Sequence, residues 1–248
     1  MNKLVLLLCG TGLQFTMLSS LAQESETISA ERPGFSSSPL ALPASVLQVE
    51  SGYQYTRDSG GLDIDDHTIP LLLVRVGLAE RLEMQLSWAG MSWTEVGSSS
   101  VNGINDAGIG IKWQLSEPGA AVPIAVFAGL SLPVGETGYT SDEFDPTLGA
   151  FWSYSSSLDW FGTLLISESG SDVSIDNAVG ISLPVNNETS AYVEYFGNYG
   201  SNGGPSHYLN GGFAYVPRND IQLDAHLGVG LNDQAADLFL GLGIAYRF

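Results

Sequence analysis

The sequence predicts an all-β fold: a transmembrane, antiparallel, up-and-down β-barrel of about 12 strands. Three observations favour this class. Apolar and polar residues alternate along most of the chain, charged residues make up only 14% of the composition, and glycine occurs 30 times among 248 residues. Alternation predicts strands with two unlike faces, and so little charge is atypical of a surface in water. We therefore expect the apolar face to contact lipid and the other face to line a lumen.

The amino-terminal residues 1–22 predict a secretory signal peptide. Lys3 gives the basic start, residues 4–18 form an apolar stretch, and Ala22 ends a small-x-small cleavage site. The single cysteine, Cys9, lies within this signal, so we expect neither disulfides nor thiol chemistry in the mature chain.

The mature chain divides into a polar segment at residues 23–44 and a barrel domain at residues 45–248. No run of 18 apolar residues follows the signal, so the sequence predicts no membrane-spanning helix. About twelve alternating stretches are expected as strands: 46–57, 68–78, 81–93, 105–116, 122–133, 147–157, 160–168, 174–184, 190–199, 207–217, 221–231 and 238–248.

Connections between these strands differ in length on the two sides, which is typical of outer-membrane barrels. Those such as "TEVGSSSVNGIN" are long and polar, whereas those such as "PRND" are short. The alternation predicts that Leu82, Ile109 and Leu223 face lipid. Aromatic residues near strand ends are expected to form the two interfacial girdles: Tyr55, Trp88, Trp93, Trp113, Trp160, Tyr199, Tyr208 and Tyr246.

The last predicted strand ends in "GLGIAYRF". Its apolar face includes Tyr246 and Phe248, and a terminal phenylalanine after such alternation resembles the assembly signal of bacterial outer-membrane barrels. We expect the barrel assembly machinery to be a partner, and the bacterial outer membrane to be the location.

Several segments along the mature chain also carry a family resemblance. They are "ERPGFSSSPLALP", "LQVESGYQY", "LLLVRVGLAERLEMQLSW", "INDAGIGIKWQL", "LSLPVGE", "IQLDAHLGVGLN" and "FLGLGIAYRF". In this order they resemble the meta-pathway of phenol degradation family, which comprises transporter-like outer-membrane β-barrels. The first segment is similar to that family's Asp-Arg-Pro entry, with Glu31 as the acid. The resemblance implies a barrel that passes small, aromatic or apolar molecules across the outer membrane.

Charged residues on the inward faces are the candidate site. Adjacent strands lie about 4.8 Å apart, so Glu50, Arg75 and Glu83 are expected to pair across three neighbouring strands. The full predicted lumen network is Glu50, Arg75, Glu83, Lys112, Asp106, Asp224 and His226. Two interpretations remain open: a network that holds the barrel rigid, or a polar constriction that selects solutes.

The motif Glu31-Arg32-Pro33 precedes the first strand and is too polar to cross lipid. The polar segment either folds into the periplasmic mouth as a plug or hangs free in the periplasm. As a plug, it would let Arg32 pair with an acid in the lumen.

Enzymatic and metal sites are not indicated. His67, His207 and His226 lack an accompanying serine motif, so no catalytic residue is predicted. Two acidic loops contain Asp63, Asp65 and Asp66, and Asp142, Glu143 and Asp145. Neither has calcium-loop spacing, so we expect solvated charge rather than a metal, with lipopolysaccharide bridging through divalent ions as the alternative. No cofactor is indicated.

Composition restricts the partners. With 27 acidic and 8 basic residues, the formal net charge is −19, which disfavours nucleic acid. Outer-membrane lipid, lipopolysaccharide and a small-molecule solute remain. The leading hypothesis is a channel for small molecules; the alternatives are a non-transporting structural or interaction barrel with acidic loops and, third, a lipid-modifying enzyme.

Overall fold

The computed structural model describes residues 27–170, 172–201 and 204–248. The predicted signal peptide, with Cys9, lies outside these residues. The described chain forms fifteen strands: β1 (Leu47–Asp58), β2 (Ile64–Ile69), β3 (Leu72–Ala79), β4 (Leu82–Trp88), β5 (Met91–Val96), β6 (Ser99–Ile104), β7 (Ala107–Gln114), β8 (Ile124–Leu132), β9 (Pro146–Ser155), β10 (Asp159–Ser169), β11 (Asp172–Pro184), β12 (Thr189–Gly200), β13 (Ser206–Arg218), β14 (Ile221–Gly230) and β15 (Leu238–Arg247). Within the described ranges, no helix has the length and apolar character needed to span a membrane.

Twelve of these strands, β1, β3, β4 and β7 to β15, form a closed antiparallel barrel. Each pairs with its neighbour, and β15 closes the barrel by pairing with β1 from Gln48↔Arg247 to Arg57↔Leu238. Closure satisfies the backbone groups that an open edge would expose to hydrocarbon. The predicted fold class is confirmed.

The other three strands, β2, β5 and β6, extend β3, β4 and β7 beyond a bend. Pairing continues across it, because Leu72 pairs with Trp88 and Ile69 pairs with Met91. The stretch "TEVGSSSVNGIN", expected to be a loop, is therefore largely a hairpin of β5 and β6. Its polar composition obscured the strand signal, whereas pairing with β2 supplies the backbone partners.

Side-chain and backbone contacts fix this bend. Gly90 has φ +72°, and a Cβ there would lie 2.3 Å from the carbonyl oxygen of Pro70, so only glycine fits. The Asn105 side-chain amide donates to the carbonyls of Ala89 and Gly90 at 3.2 Å, and the Trp88 indole donates to the Asn105 carbonyl at 3.1 Å. These bonds satisfy the groups that the bend frees from the sheet ladder.

The two faces of the barrel have the predicted inverted polarity. Ile109 and Leu223 are 41% and 43% exposed on the outer surface, while Glu83 and Lys112 on the inner face are fully buried at 0%. Leu82 is half-buried. The interior is thus polar and the exterior apolar, as in membrane barrels.

Inward-facing glycines make room for large side chains of neighbouring strands. A Cβ on Gly110 would lie 2.4 Å from the Phe127 ring, and one on Gly228 would lie 2.0 Å from Phe239. The rings therefore pack against the glycine backbone. This packing leaves volume in the lumen.

Candidate functional site

Residues 27–46, which precede β1, form a plug inside the barrel. Near its start, the Ile28 N–H donates to the Asn219 carbonyl, in the turn between β13 and β14, at 2.8 Å. Near its end, the Ser45 N–H donates to the Gly77 carbonyl on β3 at 2.8 Å. Both ends lie at the side of the barrel with short turns, and the plug crosses the lumen between them. The described residues of the polar segment therefore lie inside the barrel.

Carboxylates of the barrel wall accept hydrogen bonds from the plug backbone. Buried N–H groups need acceptors, and charged acceptors form the stronger bonds. The bonds run from Glu31 to Glu50, from Phe35 and Ser36 to Glu194, and from Leu42 to Glu83, with N–O distances from 2.7 to 3.2 Å. Three separate strands, β1, β4 and β12, thereby hold the plug.

Arg75 on β3 is the centre of a buried cluster of charges. Its Nε and Nη2 each lie 2.8 Å from an oxygen of Glu83, and its Nη1 lies 3.2 Å from Glu50. Its Nη2 also lies 2.9 Å from Glu31 of the plug, and its Nη1 donates to the Ser29 carbonyl at 2.8 Å. All three nitrogens of the guanidinium therefore have partners, and two of those partners belong to the plug.

Lys112 on β7 is the second cation of this cluster. Its Nζ lies 2.5 Å from Glu31 and 3.4 Å from Glu83, and it donates to the Ser38 carbonyl at 3.3 Å. Arg75 and Lys112 thus face three carboxylates. Buried charge is tolerated only when paired and hydrogen-bonded, and the plug completes the pairing.

Glu31 belongs to the plug rather than to a strand. Burial alone favours its neutral form, but the charges of Arg75 and then Lys112 act in the opposite direction, and the net effect holds the pKa of Glu31 below its usual value. The carboxylate is accordingly ionised where it binds both cations.

Arg32 lies on the opposite side of the plug, against β14, β15 and β1. Its Nε is 3.4 Å from Oδ1 of Asp224, and its Nη2 donates to the Leu242 carbonyl at 3.1 Å. Gly52 and Gly243 make space for the guanidinium, because a Cβ on either would lie within 2.5 Å of it. The wall is therefore shaped to hold this side chain.

Five rings form an aromatic pocket beside Arg32, at the end of the lumen with long loops. Phe35 of the plug stacks on Phe196 with centroids 4.9 Å apart, and Phe196 stacks on Tyr208 at 4.7 Å. Phe239 packs edge-on against Tyr208 and His226, each at 5.8 Å. Tyr208, predicted as a girdle residue, thus points into the lumen.

The plug separates cavities of similar size. The aromatic pocket opens into one of about 450 Å³, and a second of about 460 Å³ lies near the bend, beside Trp88 and Phe127. A third, of about 470 Å³, lies on the other side of the plug and is rich in hydroxyl groups, including Ser37 and Tyr192. Arg32 lines all three cavities.

The structure divides the predicted lumen residues among separate places. Glu50, Arg75, Glu83 and Lys112 come together, and Glu31 joins them; Asp224 pairs with Arg32, and His226 lines the aromatic pocket. Asp106 lies apart from both groups. It sits at the bend between β6 and β7, where its carboxylate accepts from the N–H groups of Gly135 and Ser141 in the β8–β9 loop.

Of the remaining motif residues, Pro33 lies beside Arg32 in the plug, and Tyr246 and Phe248 lie at the end of the chain. The Arg32–Pro33 peptide is cis, and Pro33 lines both the aromatic pocket and the hydroxyl-rich cavity. Phe248 is 70% exposed, and its ring packs edge-on against Tyr246 with centroids 4.6 Å apart.

Two histidines lie near the long-loop end, each hydrogen-bonded to a tyrosine. His67 Nδ1 is 2.7 Å from the Tyr53 hydroxyl, and His207 Nδ1 is 2.7 Å from the Tyr195 hydroxyl. Their β-strand register places these residues on the outer face.

Asp65 and Asp66, expected in a loop, lie instead in β2, where they make local contacts. Asp65 lies 3.7 Å from Arg57, and Asp66 accepts from Thr94. Among the described residues, no group of three His, Cys, Asp or Glu side chains could hold a metal ion.

Several inward polar residues were missed by the sequence interpretation. The principal one is Glu194, which is fully buried and binds the plug. A signal existed: in "AYVEYFGN", Glu194 alternates with the lipid-facing Val193 and Tyr195. The others are Thr163 and Asn210.

A closed twelve-strand barrel with an apolar exterior, a polar lumen and an internal plug has the fold of the outer-membrane β-barrels. The chain is a member of the family described as the MetA-pathway of phenol degradation, whose model matches residues 30–248. The resemblance seen in the sequence is thus confirmed.

Solved structures share this fold. An outer membrane channel from Pseudomonas putida F1 is 14% identical, with 88% of this chain and 99% of that chain covered and a TM-score of 0.67. The translocator domain of autotransporter NalP from Neisseria meningitidis is 13% identical (84% and 91% covered, TM-score 0.55), and the KdgM porin is 11% identical (81% and 99% covered, TM-score 0.52). No curated protein sequence matches the chain.

Proposed function

We propose that this protein is a plugged channel of the bacterial outer membrane that passes small molecules, in particular aromatic or hydrophobic ones. The observation that carries the proposal is the pair of cavities, of about 450 and 470 Å³, on the two sides of the plug. Each has the size of a small-ligand pocket. The two are separated by Arg32 to Gly34 of the plug, which line both.

The aromatic pocket supports the class of solute. Phe35, Phe196, Tyr208 and Phe239 offer ring faces and edges to a planar apolar guest, and each aromatic pair contributes about 0.5–1.5 kcal/mol beyond the area it buries. The description of the family, which names phenol degradation, also supports an aromatic solute. A barrel of twelve strands also leaves a narrow lumen, since width grows with strand number.

Passage requires the plug to move. A disulfide between Ser37→Cys and Thr163→Cys tests this, because the Ser37 N–H donates to the Thr163 hydroxyl at 3.1 Å. Cys9 is the single native cysteine and lies in the predicted signal, so the introduced pair is unique in the mature chain. The measurement is influx of 4-nitrobenzyl alcohol into liposomes whose outer leaflet contains lipopolysaccharide.

We expect influx through the reduced protein and loss of it after oxidation, with recovery on adding a reductant. The single variant Ser37→Cys is the matched control and should be insensitive to oxidation. Influx no greater than into protein-free liposomes would reject the channel. Influx equal in the oxidised and reduced states would reject passage past the plug.

A non-transporting structural or interaction barrel is the second candidate. The observation that favours it is the complete pairing of Arg75, which holds the plug on β1, β3 and β4. It predicts no influx in either redox state, and larger phenotypes from changing acidic loop residues such as Asp142 and Glu143 than from changing Glu50 or Arg75.

The proposal includes the absence of enzymatic activity. His67 and His207 each bind a tyrosine at the outer face, and replacing His67, His207 and His226 singly should leave lipid composition unchanged. The surroundings we propose are outer-membrane lipid and lipopolysaccharide, with the barrel assembly machinery recognising Tyr246 and Phe248.

A further inference from the structure

Arg32 and Arg75 both face the lumen, but they are bound very differently. Arg75 has partners for Nε, Nη1 and Nη2 and is 1% exposed. In the described chain, the Arg32 guanidinium makes one hydrogen bond, to the Leu242 carbonyl, although it carries five donor hydrogens. Its Nε is buried without a hydrogen-bond partner, 3.4 Å from Asp224. Each nitrogen of the Arg75 guanidinium is hydrogen-bonded, whereas most donor hydrogens of the Arg32 guanidinium have no hydrogen-bond acceptor in the described chain.

Arg32 is also a lumen cation that a solute can reach. Its side chain is 13% exposed and lines all three cavities. Arg75 and Lys112 are closed off by Glu31, Glu50 and Glu83, and the inward Arg247 donates to Gln48 at 3.0 Å near the short-turn end.

The aromatic pocket adjoins this guanidinium directly. Arg32, Phe35 and Phe239 line the same cavity of about 450 Å³. The nearby acid Glu194 is occupied, because it accepts from the backbone of Phe35 and Ser36. The acceptor beside Arg32 is Oδ1 of Asp224, which is ion-paired with the guanidinium at 3.4 Å but is buried without a hydrogen bond.

We propose that Arg32 and the aromatic pocket form a binding site for small aromatic carboxylates. The ring of the solute lies among Phe35, Phe196 and Phe239, and its carboxylate takes hydrogen bonds from the guanidinium in competition with Asp224. An Arg–carboxylate pair can be bidentate, which the present contact with Asp224 is not. This site specifies the class of solute for the proposed channel. It rests on the proposed function, because the solute must enter the lumen to reach it.

The test measures binding to the full protein in detergent by isothermal titration calorimetry. The probes are benzoate, benzyl alcohol and benzylammonium, which share a ring and differ in charge. Hydrogen bonds to charged groups contribute about 1.5–3 kcal/mol, so benzoate should bind at least about tenfold more tightly than benzyl alcohol. Benzylammonium should bind most weakly, because it meets the guanidinium with like charge.

Variants separate the contributions. Arg32→Gln should remove the preference for benzoate, Arg32→Lys should retain part of it, and Asp224→Asn should strengthen benzoate binding by removing the competitor. Arg57→Gln is the matched control: Arg57 is 49% exposed near the long-loop end and should leave the preference unchanged. Asp224→Asn keeps the test valid even if an Arg32 variant does not fold.

Benzoate bound no more tightly than benzyl alcohol would overturn the site, as would a preference that survives in folded Arg32→Gln. Weaker benzoate binding by Asp224→Asn would overturn the competition. Binding is measured without liposomes, so its failure is distinct from that of the channel: influx without benzoate preference rejects the site alone, and preference without influx rejects the channel alone.

Discussion

Arg75 and Glu83 form a bidentate ion pair in the barrel wall, with N–O distances of 2.8 Å for both contacts. The pair joins β3 to β4, and the same guanidinium reaches Glu31 of the plug at 2.9 Å. Wall and plug therefore share one buried cation. Losing that cation affects the stability of the barrel and the position of the plug together.

The first prediction concerns Arg75→Leu. The substitution leaves Glu31, Glu50 and Glu83 with Lys112 as their remaining buried cation, and breaking a buried pair in this way costs about 3–5 kcal/mol. We expect a lower free energy of unfolding in urea, measured in detergent micelles. We also expect larger single-channel conductance in planar bilayers, because the plug loses two contacts, to Glu31 and to the Ser29 carbonyl.

Arg218→Leu is the control for this prediction. Arg218 pairs with Asp220 in the β13–β14 turn and is 62% exposed, so its loss should cost only about 0–1 kcal/mol. Equal effects of the two substitutions would contradict a central role for Arg75.

The second prediction is a pH dependence of plug docking. Arg75 and Lys112 outweigh burial and hold the pKa of Glu31 below its usual value. A group with a lowered pKa in the folded state stabilises that state above its unfolded pKa, and this stabilisation is lost as pH falls through the folded pKa. Conductance should therefore stay low at mildly acidic pH and rise only below the usual pKa range of glutamate.

Glu31→Gln provides the comparison in planar bilayers. The substitution keeps a hydrogen-bond acceptor but removes the titrating carboxylate that binds Arg75 and Lys112. The conductance of this variant should therefore be high already at neutral pH. Glu83, Glu50 and Lys112 face the same cluster, and any acid response they contribute should persist in this variant. The prediction would be contradicted if the wild-type conductance already rose at pH values well above the usual pKa range of glutamate.

Most of the barrel could be predicted because membrane strands have a simple physical pattern. Lipid requires apolar groups on one face, so alternation in stretches such as "DAGIGIKWQL" gives strand, face and approximate ends. The bend at Pro70, Gly90 and Asn105 could not be predicted. It depends on contacts across three strands, such as the Asn105 amide with the Gly90 carbonyl.

The candidate site was predictable where neighbours in sequence are neighbours in space. Glu50, Arg75 and Glu83 lie on strands that follow one another closely along the chain, so adjacency alone suggested their contact. Glu194 contacts the plug across 158 or more residues of sequence, and no local pattern encodes that distance. The choice between a plug and a free segment depended on the same long-range contacts.

The third prediction concerns the glycines that hold Arg32. A Cβ on Gly52 would lie 2.4 Å from Arg32 Cζ, closer than any side chain tolerates, so Gly52→Ala should displace the guanidinium from the wall. We expect changed conductance and a reduced preference for benzoate over benzyl alcohol by calorimetry. Gly61→Ala is the control, since nothing lies within 4 Å of a Cβ there, and it should behave as wild type. An unchanged preference in Gly52→Ala would show that the position of Arg32 is not set by this glycine.

The fourth prediction tests the lipid-facing surface. Leu242 is the fifth of ten residues in β15, and its side chain is 57% exposed on the outer face. A charge near the bilayer midplane costs about 2–4 kcal/mol in a transmembrane barrel, so Leu242→Arg should lower the free energy of unfolding from lipid vesicles by that amount. Leu62→Arg is the matched control: Leu62 is 67% exposed in the β1–β2 loop, where an added charge stays in water and should change stability by no more than about 0.5 kcal/mol. Equal stabilities of the two variants would mean that Leu242 does not contact hydrocarbon.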